Sequence, residues 1–334
     1  MKHYLERCRG MHQRANGLNA VPELEVRFGT NSKVAKPISV IDYHNVVRQL
    51  LATGWKSEDR DGMQMLRITC ERIGLRDKAP PKKETPKEEA GLDPNANDEP
   101  NAEPNPAEME GGEAANKRRL VMSSIRAEIN GPTYIQEYCQ YNDIERFKRK
   151  SADVKFTEKR KVQPFNMIDF EDFNFRVAYM EEENYSLSST RPAVTRTIYD
   201  WTQTRKNFRC INRVRFSHPD YPIFVDISIV KTNKKSVHAN GRTGPPLPVE
   251  TIQASEVFNM PPVYEVELEM DNDRVKRDYP VTRLQHLMAQ LRQCIRVVLS
   301  GLQETPYPIP YSEQQAIIED YMCRIHGEVW RKEQ

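Results

Sequence analysis

The chain has 334 residues, of which 38% are hydrophobic, and a formal net charge of +2. This length suits one large domain or two smaller ones, and no apolar run approaches the roughly 20 residues that cross a bilayer. The N-terminal segment has no apolar signal core, and the six cysteines are scattered without a Cys-x-x-Cys pair, so we expect neither secretion, a disulfide framework nor a zinc site.

The first predicted elements are an N-terminal extension over residues 1–20 and a strand over Pro22–Gly29. A helix over Ile41–Leu51 is predicted next. Ser39 suits its N-cap, and Asp42 stands three residues later, as in a capping box. A strand over Met63–Ile73 follows.

The composition then changes over residues 78–117, which are rich in proline, asparagine and glutamate. Between Glu84 and Glu113 ten acidic residues stand against one lysine, a local net charge of −9 that leaves +11 on the rest of the chain. Such a segment has little to bury against its ordering entropy, so we predict a disordered acidic insertion between two strands. The basic remainder favours an anionic partner such as nucleic acid or polyphosphate.

Alternation of apolar and polar residues predicts that most of the remaining elements are strands. They are Leu120–Ile129, Val154–Val162, Phe173–Glu183, Val194–Asp200, Phe208–Phe216, Ile223–Lys231 and Val263–Met270. Charge at alternate positions fits either a solvated strand face or the lining of a polar barrel lumen, and periodicity does not distinguish the two. Two helices are predicted at the end, one opening at Thr282 and one with a capping box of Ser312 and Gln315 that ends before Gly327.

Two predicted strands carry glutamates on one face. Glu23 and Glu25 alternate with apolar residues in VPELEVRFG, and the segment PVYEVELEM does the same with Glu265, Glu267 and Glu269. Like charges on neighbouring strands repel unless cations compensate, and Mg²⁺ or Mn²⁺ prefers such oxygen ligands. One alternation alone is ordinary in a half-exposed strand, so the prediction of a metal site depends on the two segments meeting.

The segment KNFRCINRVRFSH places Arg209, Arg213 and Arg215 on one strand face. A row of guanidinium groups suits a phosphate chain, which offers bidentate acceptors along its length. Other strands add further candidates, namely Arg126, Lys159, Lys161, Arg176, Glu182 and Asp226. Each of these residues taken singly is more readily explained as a surface charge. Together they describe strands with acids and bases on one face, which suits a pocket for a metal and a triphosphate.

The order of these segments resembles the triphosphate tunnel metalloenzymes, specifically the RNA triphosphatase modules of capping enzymes in fungi and large DNA viruses. ELEVRFG is similar to the family's opening Glu-x-Glu strand and YEVELEM to its closing strand, and the resemblance covers about Pro22 to Met270. It implies an α+β fold, a closed antiparallel eight-stranded barrel (tunnel) with a few flanking helices. The barrel would occupy residues 21–277, and residues 278–334 would form a helical connector.

The resemblance implies removal of the γ-phosphate from triphosphate-ended RNA, the first step of mRNA capping, with Mg²⁺ or Mn²⁺ as cofactor. Metal ligands would come from the opening and closing strands, namely Glu23, Glu25, Glu265, Glu267 and Glu269. The triphosphate would be held by Arg126, Lys159, Lys161, Arg176, Arg209, Arg213 and Arg215. Glu182 and Asp226 would orient these bases or the attacking water. The family's arginine strand reads Arg-x-Lys-x-Arg, whereas Ile211 stands in the middle here.

In viral capping enzymes such a module often precedes a guanylyltransferase, whose nucleophile lies in a Lys-x-Asp-Gly motif that this sequence lacks. A guanylyltransferase partner, on the same polyprotein or separate, is therefore expected, in a viral factory, a virion or the nucleus and away from membranes. Two other functions stay open. One is hydrolysis of inorganic tripolyphosphate or nucleoside triphosphates on the same fold, and the other is a non-catalytic RNA-binding module, which would need no metal and would weaken steeply with salt.

Overall fold

The computed structural model describes residues 1–10, 20–29, 37–57, 62–73, 120–148, 153–165, 167–237 and 243–326. The chain divides into two units, one of Met1–Glu71 with Ser123–Gln334 and one of Arg72–Met122. Of the second unit only strand ends are described. The predicted acidic insertion over residues 78–117 lies outside the described residues.

The strands are β1 (Val21–Phe28), β2 (Lys56–Ser57), β3 (Met63–Ile73), β4 (Leu120–Asn130), β5 (Val154–Lys161), β6 (Ile168–Phe170), β7 (Phe175–Ser186), β8 (Lys206–His218), β9 (Tyr221–Thr232), β10 (Lys235–Val237), β11 (Thr243–Pro246) and β12 (Val263–Met270). The helices are α1 (Lys2–Gly10), α2 (Val40–Ala52), α3 (Pro132–Tyr141), α4 (Pro192–Tyr199), α5 (Ile252–Ser255), α6 (Asn272–Asp278), α7 (Leu284–Gln303) and α8 (Tyr311–His326). None of these described helices is long and apolar enough to span a bilayer.

Eight long strands close on themselves. Neighbours follow the order β1–β12–β9–β8–β3–β4–β5–β7, and β7 pairs again with β1. That last pairing is antiparallel and runs from Val21 opposite Glu182 to Phe28 opposite Phe175. The predicted closed antiparallel eight-stranded barrel is therefore confirmed. The short strand β2 pairs with β8, and the short strand β6 pairs with β7. Strands β10 and β11 form a separate hairpin.

The barrel wall is apolar on its outer face, where the helices pack. Leu24, Val26 and Phe28 of β1 share one buried cluster with outward-facing residues of β9 and β12 and with α1, α2 and α7. A second cluster joins the outer faces of β3, β4, β5 and β8 to α3 and α4. Because successive side chains of a strand alternate, the side chains between these apolar positions are directed into the lumen, although β5 and β7 also carry charges such as Glu158 and Glu183 on the outer face. The charged faces therefore line the barrel lumen, which periodicity alone could not distinguish from a solvated strand face.

Helix α1 belongs to the same body as the barrel. Its Tyr4, Leu5 and Cys8 are fully buried in the cluster that contains β1 and α7. Residues on both sides of the predicted boundaries at 20 and 278 therefore pack into one apolar cluster. The division of the chain into domains stays a prediction.

Two local predictions are wrong. Val194–Asp200 is not a strand, because α4 occupies that segment, with Pro192 in its first turn and Val194 and Ile198 buried on one face. Proline suits that position since its fixed φ is helical, and spacing of four residues buries one side of a helix. Ser312 is not an N-cap, since α8 already begins at Tyr311. The predicted capping box of Ser39 and Asp42 is confirmed by hydrogen bonds of 2.9 and 3.1 Å.

Gly301 sets the closest approach of α2 and α7, because a Cβ there would lie 2.8 Å from the Cα of Val46. A backbone atom cannot yield without moving its helix, so Gly301→Ala is expected to lower the free energy of unfolding by about 1–3 kcal/mol. Denaturant titration measures this change. The matched control is Gly10→Ala in α1, where a Cβ meets nothing within 4 Å and alanine favours the helix. Equal stability of both variants would contradict the prediction.

Candidate active site in the barrel lumen

Every strand of the barrel contributes a charged side chain to the lumen face. The cross-strand register places Glu25 opposite Glu269, Glu269 one pleat from Glu267, and Glu267 opposite both Arg27 and Asp226. On the other side of the barrel, β4, β5 and β7 add Arg126, Glu128, Lys159 and Glu182. The opening and closing glutamate strands are therefore neighbours, although more than 200 residues separate them in the chain.

Glu23 and Glu269 are lumen carboxyls that the protein's own cations do not fully compensate. Burial raises the pKa of Glu23, and repulsion from Glu25 adds to this against the attraction of Lys159. Burial likewise raises the pKa of Glu269 to about 7, helped by repulsion from Asp226 and Glu23 and opposed by Arg215.

Both carboxylate oxygens of Glu23 lie close to one ammonium group. Lys159 Nζ donates to Oε1 at 2.6 Å. The same nitrogen lies 2.5 Å from Oε2, but Oε2 is buried and accepts no aligned hydrogen bond. A hydrogen bond weakens steeply when it is bent, so Oε2 is held by the charge of Lys159 and not by an aligned bond. A divalent cation at Glu23 would therefore share this carboxylate with the ammonium of Lys159.

Glu267 differs from its neighbours on the closing strand. Arg27 Nε lies 2.7 Å from one of its oxygens, and Arg213 donates to the other at 2.8 Å. Burial alone would raise the pKa of Glu267, but the two guanidinium groups overcome this and lower it to about 2. The carboxylate of Glu267 is therefore already satisfied by protein cations.

Glu23, Glu25 and Glu269 are accordingly the candidate metal ligands that fit best. They offer only oxygen donors, which suits a hard divalent cation such as Mg²⁺ or Mn²⁺. Within the described ranges no three acidic, histidine or cysteine side chains already lie at metal-ligand spacing. The ammonium of Lys159 lies 2.5 Å from Glu23 and 3.5 Å from Glu25. Glu265 lies four residues from Glu269 and pairs with Arg209 instead, so the register does not bring it to this set.

Two of the predicted arginines are held by one buried aspartate. Asp226 is 1% exposed, accepts from Arg213 at 2.8 Å, and binds Arg215 through two bonds of 2.7 Å. Arg213 also donates to Ser228 at 3.1 Å. Burial would lower the pKa of Arg213, but Asp226 and Glu267 raise it. Both guanidinium groups are therefore charged and fixed in direction before any ligand binds.

The remaining predicted cations fall into two groups. Arg126 and Lys159 lie 3.5 and 3.9 Å from Glu182, inside the lumen. Lys161 is exposed at the end of β5 and forms no ion pair with a described residue. Arg176 pairs with Asp169 of β6 at 2.6 Å. The structure thus brings Arg126 and Lys159 to the acidic set, and places Lys161 and Arg176 outside it.

The chain is similar to solved structures of triphosphatases. The Mimivirus capping enzyme triphosphatase is 13% identical, with 88% of this chain and 94% of that chain covered and a TM-score of 0.42. The S. pombe RNA triphosphatase Pct1 is 11% identical, with 87% and 88% covered and a TM-score of 0.36. A structure of Pct1 with the Spt5 CTD is 10% identical, with 84% of each chain covered and a TM-score of 0.34. No family model and no curated protein matches the chain.

The sequence pattern places Glu128 with Arg126 and Lys155 with Lys159 on charged strand faces, but the sequence analysis assigned neither a role and did not include Arg67. Glu128 is 3% exposed and lies 2.9 Å from Arg67, 2.9 Å from Arg126 and 3.5 Å from Lys155. Burial would raise the pKa of Glu128, yet these cations lower it to about 2. Alternation places Glu128 on the strand face of Arg126, but it does not show which cations of the neighbouring strands reach it.

The isoleucine in the arginine row has a structural role. Ile211 is 1% exposed and packs inside the lumen against Met65 and Val230. A cation at this position would be buried against apolar side chains, which is unfavourable. The row of cations on β8 is therefore interrupted between Arg209 and Arg213, and Arg215 continues it on the same face.

The raised pKa of Glu269 predicts a pH-dependent stability in metal-free protein. A carboxyl that binds its proton more tightly when folded stabilises the fold fully below its ordinary pKa of 4.5, and this contribution is lost as pH rises through about 7. Glu269→Gln is therefore expected to raise the melting temperature at pH 8 more than at pH 5, as thermal melts in EDTA will measure. The side chain is 33% exposed, so water screens part of the effect. A larger gain at pH 5 would contradict the sign.

Proposed function

We propose that this protein is a metal-dependent RNA 5′-triphosphatase that hydrolyses the γ-phosphate of triphosphate-ended RNA as the first step of capping. The observation that supports this best is the closed lumen, where glutamates of β1 and β12 face arginines of β8. Such an arrangement presents both signs of charge to a polyanion and its cation in a water-poor space. That the triphosphate belongs to RNA is proposed from the resemblance of the opening and closing strand motifs to those of RNA triphosphatases.

The phosphate chain would be bound by cations that are already oriented. Arg213 and Arg215 are fixed by Asp226, so they need not reorganise when a phosphate arrives, and preorganised charges stabilise a developing negative charge best. Lys159 and Arg126 approach the lumen from the opposite wall. Together these four side chains would hold the triphosphate from two sides.

The acidic residues would divide into two roles. Glu23, Glu25 and Glu269 would hold Mg²⁺ or Mn²⁺, which when bound supplies charge neutralisation and a more acidic water. Asp226 has both oxygens engaged by arginines, so it is a positioning residue. Glu182 has looser contacts, at 3.5 Å to Arg126, 3.9 Å to Lys159 and 3.4 Å to Asn184, and would orient an attacking water.

The experiment that tests the proposal is release of phosphate from RNA labelled at the γ-position, with Mg²⁺, with Mn²⁺ and with EDTA. We expect metal-dependent release of the γ-phosphate alone, leaving diphosphate-ended RNA. Faster turnover of tripolyphosphate or ATP than of RNA would favour the general polyphosphate hydrolase. Binding of RNA without release under any metal would favour the non-catalytic module, whose affinity would fall steeply with salt.

The capping role adds a partner to the proposal. Diphosphate-ended RNA is the acceptor that a guanylyltransferase requires, so we propose that such an enzyme acts next, on the same polyprotein or as a separate subunit, in a viral factory, a virion or the nucleus. A coupled assay with a purified guanylyltransferase and labelled GTP tests this order. Labelled caps should form on triphosphate-ended RNA only when this protein is present.

A further inference from the structure

An aromatic side chain stands among the charges of the lumen. Phe224 is opposite Glu269 and so shares the lumen face of β9 with Asp226, two residues on. It belongs to none of the three apolar clusters of the described residues, whereas its neighbours Ile223 and Val225 are buried in the outer core. Packing of the barrel wall therefore does not explain a phenyl ring at this position.

Exposure places this ring at a mouth of the lumen. The deeper charges Arg213 and Glu267 have side chains that are 8% and 9% exposed. Arg215 and Glu269, one pleat further along the same strands, are 31% and 33% exposed. Phe224 lies beside this second pair, three residues after β9 begins, and is itself partly exposed. The ring is thus accessible from solvent at the end of the lumen that holds the candidate metal ligands.

The ring is stacked against a fixed cation. The guanidinium carbon of Arg215 lies 4.5 Å from the centroid of the Phe224 ring. Two bonds of 2.7 Å to Asp226 hold that guanidinium in place. Aromatic rings and arginine planes are the surfaces on which single-stranded RNA stacks its bases, and such stacking accepts every base.

We propose that Phe224, stacked on Arg215, is the subsite for the first nucleobase of the RNA, and that the 5′ end enters the lumen through this mouth. The inference rests on the proposed function, because a triphosphate held by the lumen cations leaves its nucleoside at one end of the row. A base on the ring adds affinity that inorganic polyphosphate cannot gain. Phe224 would therefore separate RNA from polyphosphate substrates without reading sequence.

The test compares Phe224→Ala on triphosphate-ended RNA and on inorganic tripolyphosphate, which has no base. Loss of one base stack is expected to raise KM for RNA roughly 5- to 100-fold with little change in kcat. Turnover of tripolyphosphate by the variant should stay within about twofold of that by the unmodified protein, because this substrate has no base to stack on the ring. Phe224→Trp should restore RNA turnover, and Tyr199→Ala, at an aromatic ring that is 86% exposed on α4, is the control that should leave both substrates unaffected.

Phe224→Leu separates stacking from packing, because leucine keeps apolar contact with Arg215 but offers no aromatic face. The proposal expects Leu to resemble Ala on RNA. Equal losses on RNA and tripolyphosphate would mean that the ring only positions Arg215, and unchanged RNA kinetics would mean that the base lies at the other mouth. Either result overturns the subsite.

Failure of the proposed function gives a different result, namely no hydrolysis of either substrate by the unmodified protein. The comparison is then made on binding, using fluorescently labelled triphosphate-ended RNA with tripolyphosphate as competitor. Phe224→Ala should weaken the binding of RNA, while the inhibition constant of tripolyphosphate stays the same. Equal RNA affinity of the variant and the unmodified protein would overturn the subsite independently of catalysis.

Discussion

Replacing Glu25 by glutamine is expected to reduce γ-phosphate release from RNA by about 10²–10³-fold, the scale seen when one preorganised charge-stabilising group is removed. Glu25 is opposite Glu269 on the closing strand and lies 3.5 Å from Lys159. Glutamine keeps the shape but removes the charge that would hold a divalent cation beside the phosphates. Steady-state assays over a range of Mg²⁺ concentrations measure the loss, which more metal should partly restore if ligation is the cause.

The fold should survive this change, because the cations near Glu25 have other partners. Arg27 keeps Glu267 at 2.7 Å, and Lys159 keeps Glu23. Thermal melts of the variant should therefore stay close to those of the unmodified protein. The matched control is Glu313→Gln on the exposed face of α8, which removes the same charge far from the lumen. Full activity of Glu25→Gln would place the metal elsewhere.

Glu128→Ala is expected to lower the free energy of unfolding by about 3–5 kcal/mol, the usual result of removing one partner from a buried ion pair. Glu128 is the shared acceptor of Arg67, Arg126 and Lys155. Without it the largely buried guanidinium of Arg67 loses its nearest carboxylate, and burial already lowers the pKa of this guanidinium. Denaturant titration at neutral pH gives the free energy directly.

Acid titration of the same two proteins supplies an independent test. The pKa of Glu128 is lowered to about 2 from its ordinary 4.5, so its contribution to stability is present above 4.5 and is lost as pH falls towards 2. The difference between Glu128→Ala and the unmodified protein should therefore shrink across that window. Glu145→Ala, whose partner Lys148 is exposed, should change stability by less than about 1 kcal/mol. A constant difference down to pH 2 would contradict the assignment.

Much of the barrel could be predicted because strand faces are local. Alternation in VPELEVRFG and PVYEVELEM is enough to show that their glutamates share a face and that apolar residues occupy the other. It also placed Ile211 on the face of Arg209 and Arg213. What periodicity could not supply was the identity of the lumen-facing side, since a solvated face has the same pattern.

One of the failures has a local cause and the other a tertiary one. The short segment Val194–Asp200 is compatible with the two-residue repeat of a strand and with the 3.6-residue repeat of a helix. It forms a helix whose buried face carries Val194 and Ile198, four residues apart. Glu128 has no unusual sequence context, and its importance arises only because β3 and β5 bring Arg67 and Lys155 beside it. Charges of this kind are indistinguishable from surface charges until the strands are paired.

The sequence by itself determined which side chains share a strand face, where most of the strands lie, and that acids and bases alternate with a packed apolar surface. Only the tertiary structure decided the register, which sets Glu25 opposite Glu269 and leaves Glu267 between Arg27 and Arg213. The physical reason is that side-chain alternation depends on neighbouring residues alone, whereas register between strands more than 200 residues apart is fixed by closure of the barrel and by the helices packed around it.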